Sequence, residues 1–275
     1  MEASKASAWI RSSHGELCAQ GAHVVRWRHD GSEVLFVAQK ARFEPGQAIR
    51  GGIPVIFPWF GDDPEQRGRG AHGFARRMPW TVLASEVGES ATNVVLELVD
   101  DDSTRALWPQ RFALRLEATL GEHLDLALHV TNRGDAPMRF EEALHSYFQV
   151  GDVRAISLRG LEGARYLDKL DAFREKRTPQ AALSFSGPID GVFPGTDAAC
   201  EIEDIVHGRT LRIEKQDSRS TIVWNPWIEG ARRFADLGAE DWAHFLCVES
   251  GNVGEDAVQL APGATHTLRL RVSVS

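Results

Sequence analysis

Apolar and polar residues alternate with a period of two through much of this chain, most cleanly between Phe112 and Val130. Phe112, Leu114, Leu116, Ala118 and Leu120 are separated by Ala113, Arg115, Glu117 and Thr119. After Gly121-Glu122, Leu124, Leu126, Leu128 and Val130 keep the rhythm up to Asn132-Arg133-Gly134-Asp135. Successive side chains of a strand point to opposite faces, so this pattern predicts a hairpin of two half-buried strands. Further strands are predicted at residues 23–28, 33–38, 93–99, 139–150, 210–215, 220–224, 244–249 and 267–274. Asp30-Gly31, Gly134-Asp135 and Pro262-Gly263 supply turn chemistry between them. Helical patterns are short and few, around residues 103–107 and 239–243. No linker, low-complexity tract or repeat divides the sequence, so residues 1–275 read as one domain. Many strands with short turns predict an all-β architecture, a large antiparallel sandwich or barrel.

Composition narrows the function classes. With 43% hydrophobic residues the chain can build a sizeable core, and a net charge of −8 argues against a nucleic-acid partner. Three widely spaced cysteines, Cys18, Cys200 and Cys247, form no CxxC pair and no disulfide framework. No apolar run approaches a membrane span, and the start of the chain lacks a basic-then-apolar leader pattern. A soluble, monomeric, cytoplasmic protein is expected.

Two loops stand out from the strand pattern. Residues 50–61 read Arg-Gly-Gly-Ile-Pro-Val-Ile-Phe-Pro-Trp-Phe-Gly, and His72-Gly-Phe-Ala-Arg76 follows. Prolines remove ladder donors and glycines open backbone angles closed to other residues, so this is a shaped loop. The guanidinium forks of Arg50 and Arg76 suit phosphate or carboxylate oxygens; taken alone, both are equally well read as solvated surface residues.

On a strand over 139–150, His145 shares a face with Ala143, Tyr147 and Gln149. That face either lines a ligand cleft or is the wet side of an antiparallel sheet. Glu249 ends an apolar strand beside Ser250-Gly251-Asn252, at a rim where partial desolvation makes a better base; a paired structural glutamate fits equally. Asp190 sits in a Pro/Gly-bounded loop where it either holds sugar hydroxyls or merely shapes a turn. Trp224 and Trp227 flank Asn225-Pro226 and are either a platform for a sugar ring or core. Ten histidines form no His-x-His or His-x-x-x-His pair and cluster with no cysteine, and no glycine-rich phosphate loop precedes a helix. Neither a metal nor another cofactor is expected.

In order and spacing, these segments resemble the glucose-6-phosphate 1-epimerases, the hexose-6-phosphate branch of the aldose 1-epimerase family. The matching pieces are Arg50-Gly-Gly-Ile-Pro with Phe57-Pro-Trp-Phe-Gly61, His72-Gly-Phe-Ala-Arg76, Leu144-His-Ser-Tyr-Phe148, Asp190, Trp224-Asn-Pro-Trp227 and Cys247-Val-Glu-Ser-Gly251. The resemblance implies a galactose mutarotase-like β-supersandwich with a sugar cleft on one sheet. It implies His145 as general acid and Glu249 as general base, with Arg50, His72, Arg76 and Asp190 at the substrate, a small-molecule hexose 6-phosphate. Two positions depart from the pattern: Ala71 stands where such proteins often carry glutamine, and Gly191-Val192 follow Asp190 in place of a larger polar residue. Other readings of the same residues are a sugar-binding module without turnover, an epimerase of unphosphorylated aldoses, and an isomerase moving the carbonyl between C1 and C2. A binding module has no need for His145 and Glu249 to face one another.

Overall fold

The computed structural model describes residues 8–275. Two antiparallel sheets dominate it. The larger has nine strands, in spatial order Leu183–Ser184, Ile156–Arg159, Cys200–Asp204, Arg209–Gln216, Thr265–Val274, Leu124–Asn132, Phe112–Leu120, Thr92–Val99 and Thr81–Val87. The second has eight: Arg174–Arg177, Arg165–Asp168, Ile189–Pro194, Ser220–Asn225, Phe245–Asn252, Glu142–Leu144 and Val55–Ile56 in order, with Tyr147–Gln149 also paired to Phe245–Asn252. Helices are minor, as expected: Asp102–Leu107, closed by a capping box between Asp101 and Thr104, and Trp227–Ala231. Among the described residues no helix is long and apolar enough to cross a membrane.

The hairpin of alternating leucines forms as its pattern requires, Leu116 opposite Leu128 and Leu114 opposite Val130. These side chains are buried with Leu211, Leu268 and Leu270 of the same sheet, and the core continues into Val223, Leu246 and Val248 of the second. A leucine buried this completely contributes about 1.5–3 kcal/mol. The second sheet therefore spends one face on the core. Its other face carries Asp190, Trp224, Cys247 and Tyr147 in one row, because Asp190 pairs with Trp224, Trp224 with Cys247, and Cys247 with Tyr147. One register step along, Glu249 lies opposite Ile222 and Ile222 opposite Val192.

Several expectations need correction. Residues 139–150 are three short strands, Met138–Phe140, Glu142–Leu144 and Tyr147–Gln149. The ladder breaks because the Ser146 N–H turns back to the Leu144 carbonyl (3.0 Å), a three-residue turn, while the His145 N–H goes to the Pro54 carbonyl (3.0 Å). Residues 33–38 form only the end of Ser32–Glu33 and isolated bridges at Leu35 and Val37. Residues 239–243 give a 3-10 turn, Asp241–His244. Asp190 is not in a loop but on the strand Ile189–Pro194, and Glu249 is not at a strand end, since Phe245–Asn252 runs on through Ser-Gly-Asn.

The shaped loops do hang on the frame by their backbones. Phe57 O accepts from the N–H groups of Phe74 and Ala75, and Gly61 O accepts from His72 N–H at 2.7 Å. Between them, Asp63 accepts from three backbone N–H groups and from Arg69, whose guanidinium also covers the Trp59 ring. Gly73 is what lets the two loops meet. It has φ +66°, and a Cβ there would lie 1.9 Å from the Phe57 carbonyl oxygen. Gly73→Ala therefore combines left-handed strain with a backbone clash, and is expected to destabilise the protein by about 2–5 kcal/mol in urea unfolding. An unchanged unfolding midpoint would show that these loops meet otherwise.

Candidate active site

The face of the second sheet opposite the core is covered by the shaped loops, which enclose a cavity of about 270 Å³. Five of its walls are residues expected from the sequence: Arg50, His72, Arg76, His145 and Glu249; Asp190 is the sixth. The structure brings all six together. A larger, shallower depression of about 590 Å³ lies on the nine-stranded sheet, with the Arg271–Asp125 ion pair (2.6 Å) in its lining.

His145 and Glu249 meet directly. His145 Nε2 lies 3.3 Å from Glu249 Oε1, with the two side chains 8% and 1% exposed. The wet-face reading of His145 is thus overturned: its ring is stacked on Tyr147 at 4.8 Å and edged by Trp224 and His72. Burial pushes the Glu249 carboxyl well above the usual carboxylate range, with Lys169 and Arg76 pulling against it and Asp190 adding to it. Burial, then the charges of Arg76 and Arg50, push the His145 imidazole well below its ordinary value. The pair accordingly holds one proton between two neutral-favouring groups.

The cations differ in how far they are satisfied. Arg50 is occupied: its Nε lies 3.2 Å from Asp236, its Nη1 donates to Tyr147 OH at 3.1 Å, and its guanidinium sits over Phe234. Arg76, on the 3-10 turn Ala75–Arg77, donates among the described residues only to the Ala71 carbonyl, at 2.8 Å. Among the described residues no carboxylate lies within ion-pair distance of it, and burial lowers its pKa to about 10. Ala71 presents a methyl group to the cavity, so no side-chain hydrogen bond is made at that point. His72, at φ +61°, uses Nδ1 to accept from Gly61 N–H at 3.3 Å, which leaves Nε2–H as the donor of the neutral ring. Asp190 lies 3.2 Å from Lys169.

Among the described residues, three buried polar atoms of the cavity-lining side chains have no hydrogen-bond partner: His145 Nδ1, Glu249 Oε2 and Arg76 Nε. Buried polar groups are normally paired, so a cluster of three marks a place built for a ligand. Among the described residues no three His, Cys, Asp or Glu side chains are grouped to hold a metal ion. Sequence reasoning missed Lys169 and Phe234, which sit in turns of ordinary polar composition and reach the cavity only through the fold, and Asp236, which pairs with Arg50. Of the two indoles, Trp224 walls the cavity and Trp227 packs on Trp242 at 4.9 Å.

The family model for aldose 1-epimerase matches residues 12–273. The chain belongs to the aldose 1-epimerase family. A relative from Cenchrus ciliaris is 32% identical over 96% of this chain and 82% of its own length; one from Escherichia coli K12 is 32% identical over 86% and 79%. Both carry the provisional name glucose-6-phosphate 1-epimerase. A solved structure from Salmonella typhimurium, provisionally a mutarotase, is 29% identical and superposes with a TM-score of 0.88 over 94% of this chain and 86% of that one. The fold is thus the mutarotase supersandwich expected from the sequence, and an epimerase of this family is an isomerase.

The burial of His145 has a measurable consequence. In an NMR titration of the unliganded protein, its ring is expected to show no transition near 6.5, because desolvation and two arginines disfavour the imidazolium. A transition between pH 6 and 7 would mean that the ring is hydrated and the pair open.

Proposed function

We propose that this chain interconverts the α and β anomers of a hexose 6-phosphate, with Glu249 as general base and His145 as general acid. The observation that carries the reading is their 3.3 Å contact, with both side chains buried, in the wall of the cavity. A non-catalytic sugar-binding module gains nothing from such a pair, and burying it is costly.

The chemistry follows from the proton count. Glu249 takes the proton of the anomeric hydroxyl, the C1–O5 bond breaks, and His145 gives its proton to the ring oxygen. C1 becomes an aldehyde carbon, the C1–C2 bond rotates, and closure on the other carbonyl face returns both protons. Each transfer contributes about 10²- to 10⁴-fold. Ring opening starts from the minor form of the pair, with its one proton on His145, and ends with one on Glu249; burial favours the other form at rest. The Trp224 ring offers a wall to the sugar, and the Asp190 carboxylate an acceptor for its hydroxyls.

Arg76 is the natural anchor for the 6-phosphate, since it is the guanidinium of the cavity that has no carboxylate partner among the described residues. Arg50, already held by Asp236 and Tyr147, would contribute less. The names of the relatives support a phosphosugar, and a buried cation supports an anionic substrate independently.

Exchange NMR on glucose 6-phosphate anomers tests the assignment. His145→Ala and Glu249→Ala should each lower the exchange rate by about 10²- to 10⁴-fold while the fold persists by circular dichroism. Near wild-type exchange in either variant would remove that residue from the mechanism.

The arginines are separated by comparing sugars. Arg76→Ala should lose about ten- to a hundredfold in kcat/KM for glucose 6-phosphate, the value of one charge-assisted hydrogen bond, and little for glucose. Arg50→Ala should lose less. Equal losses for both sugars would assign Arg76 to the ring or the fold.

A further inference from the structure

The ring of a histidine that moves protons is ordinarily fixed through its second nitrogen, which bonds a carbonyl or a carboxylate. His145 lacks that support: among the described residues its Nδ1 has no partner, while Nε2 faces Glu249. A ring held by Nε2 alone can turn about its Cβ–Cγ bond, and the 3.3 Å separation depends on its not doing so. What stands against it is Tyr147. The two rings lie 4.8 Å apart and within 11° of parallel, and Trp224 meets both edge-on, at 6.2 and 6.0 Å. Residues i and i+2 of a straight strand are about 6.6 Å apart, too far for such a stack. The turn at Leu144–Ser146 interrupts the strand here, and the rings come together.

Tyr147 is itself held at both ends. Its N–H donates to the Gly52 carbonyl at 2.9 Å, and its carbonyl accepts from Phe36 N–H at 3.0 Å. Its hydroxyl accepts from Arg50 Nη1 at 3.1 Å. Arg50 is in turn fixed by Asp236 at 3.2 Å and lies over the Phe234 ring at 4.6 Å, both supplied by the segment after the helix Trp227–Ala231. The loop that carries Arg50 also receives the His145 N–H, at the Pro54 carbonyl. One shaped loop thus grips the backbones of both stacked residues and, through Arg50, the far end of the phenol.

We propose that Tyr147 is a positioning residue for the reaction: stacked on His145 and tethered by the Asp236–Arg50 pair, it holds the imidazole plane so that Nε2 stays directed at Glu249. This rests on the reading of His145 as general acid. It also gives Arg50 a task that needs no phosphate, since the guanidinium acts on the reacting end of the sugar through two rings.

The test compares Tyr147→Phe, which keeps the stacked ring and removes its tether, with Tyr147→Leu, which removes both, in anomer exchange of glucose 6-phosphate and of glucose. A 1 Å misplacement of a reacting group costs about 10²-fold, so Tyr147→Leu should lower kcat by about that factor and Tyr147→Phe, with a smaller drift, about fivefold. KM for glucose 6-phosphate should stay nearly unchanged in both. Because the tether serves the acid and not the phosphate, each variant should lose the same factor in kcat/KM for the two sugars. Arg50→Ala should lose about as much as Tyr147→Phe, and the two combined should lose no more, since both break one contact. An unchanged kcat in Tyr147→Phe would overturn the proposal, even if Tyr147→Leu fails to fold. A loss confined to KM or to glucose 6-phosphate would overturn it too, by making Tyr147 or Arg50 a substrate contact, and so would additive losses in the double variant. If His145→Ala retains exchange, the reading of the acid falls and this proposal with it; if His145→Ala is inactive and Tyr147→Phe is unimpaired, only the role of Tyr147 is lost.

Discussion

A carboxyl and an imidazole 3.3 Å apart, both withdrawn from water, can share one proton at little electrostatic cost, but cannot readily hold two or none. Much of the surrounding structure serves that condition. The second sheet closes one side with its core-facing layer, and the glycine- and proline-shaped loops close the other. Without those loops the pair would be hydrated, the carboxyl would ionise as ordinary glutamates do, and the imidazole would titrate with the solvent. On the proposed reading, burial keeps proton exchange between the pair and a hemiacetal, the step on which ring opening depends.

The same desolvation makes the cavity's charges unequal in a useful way. Arg50 has a carboxylate and a phenol to balance it, whereas Arg76 has only a carbonyl. A buried guanidinium without a counter-ion is unfavourable in the empty protein and becomes favourable when an anion arrives. On the proposed reading, substrate charge completes the site's electrostatics, and the sugar is held by the end at which no bond changes.

Much of this was legible in the residues, unevenly. The hairpin from Phe112 to Asn132 declares itself because one face is fully buried and the other wet. The strand Thr81–Val87 does not, because it is an edge strand exposed on nearly all sides and so has no alternation to read. The break at His145 depends on its N–H being accepted by the carbonyl of Pro54, far earlier in the chain, and no local pattern reports it. Asp190 looked like a turn residue because Gly191 follows it; in the strand that glycine makes room for the Tyr166 and Phe193 rings, each 3.1 Å from where a Cβ would stand. The six residues of the site were visible as types in shaped segments. Lys169 and Asp236 were not, since a lysine in a polar turn and an aspartate in a loop carry no mark of where they will reach.

The row of Asp190, Trp224, Cys247 and Tyr147 takes one residue from each of four strands, at matched register and far apart in the sequence. Because strand side chains alternate, a slip of one residue in any of these ladders would turn its member of the row into the core and bring a core residue into the cavity. With three strands in register and one out, the row loses a member and the cavity floor above or beside it changes. Turnover therefore doubles as a readout of long-range strand alignment, and a collapsed, mispaired form with nearly native strand content would be catalytically silent.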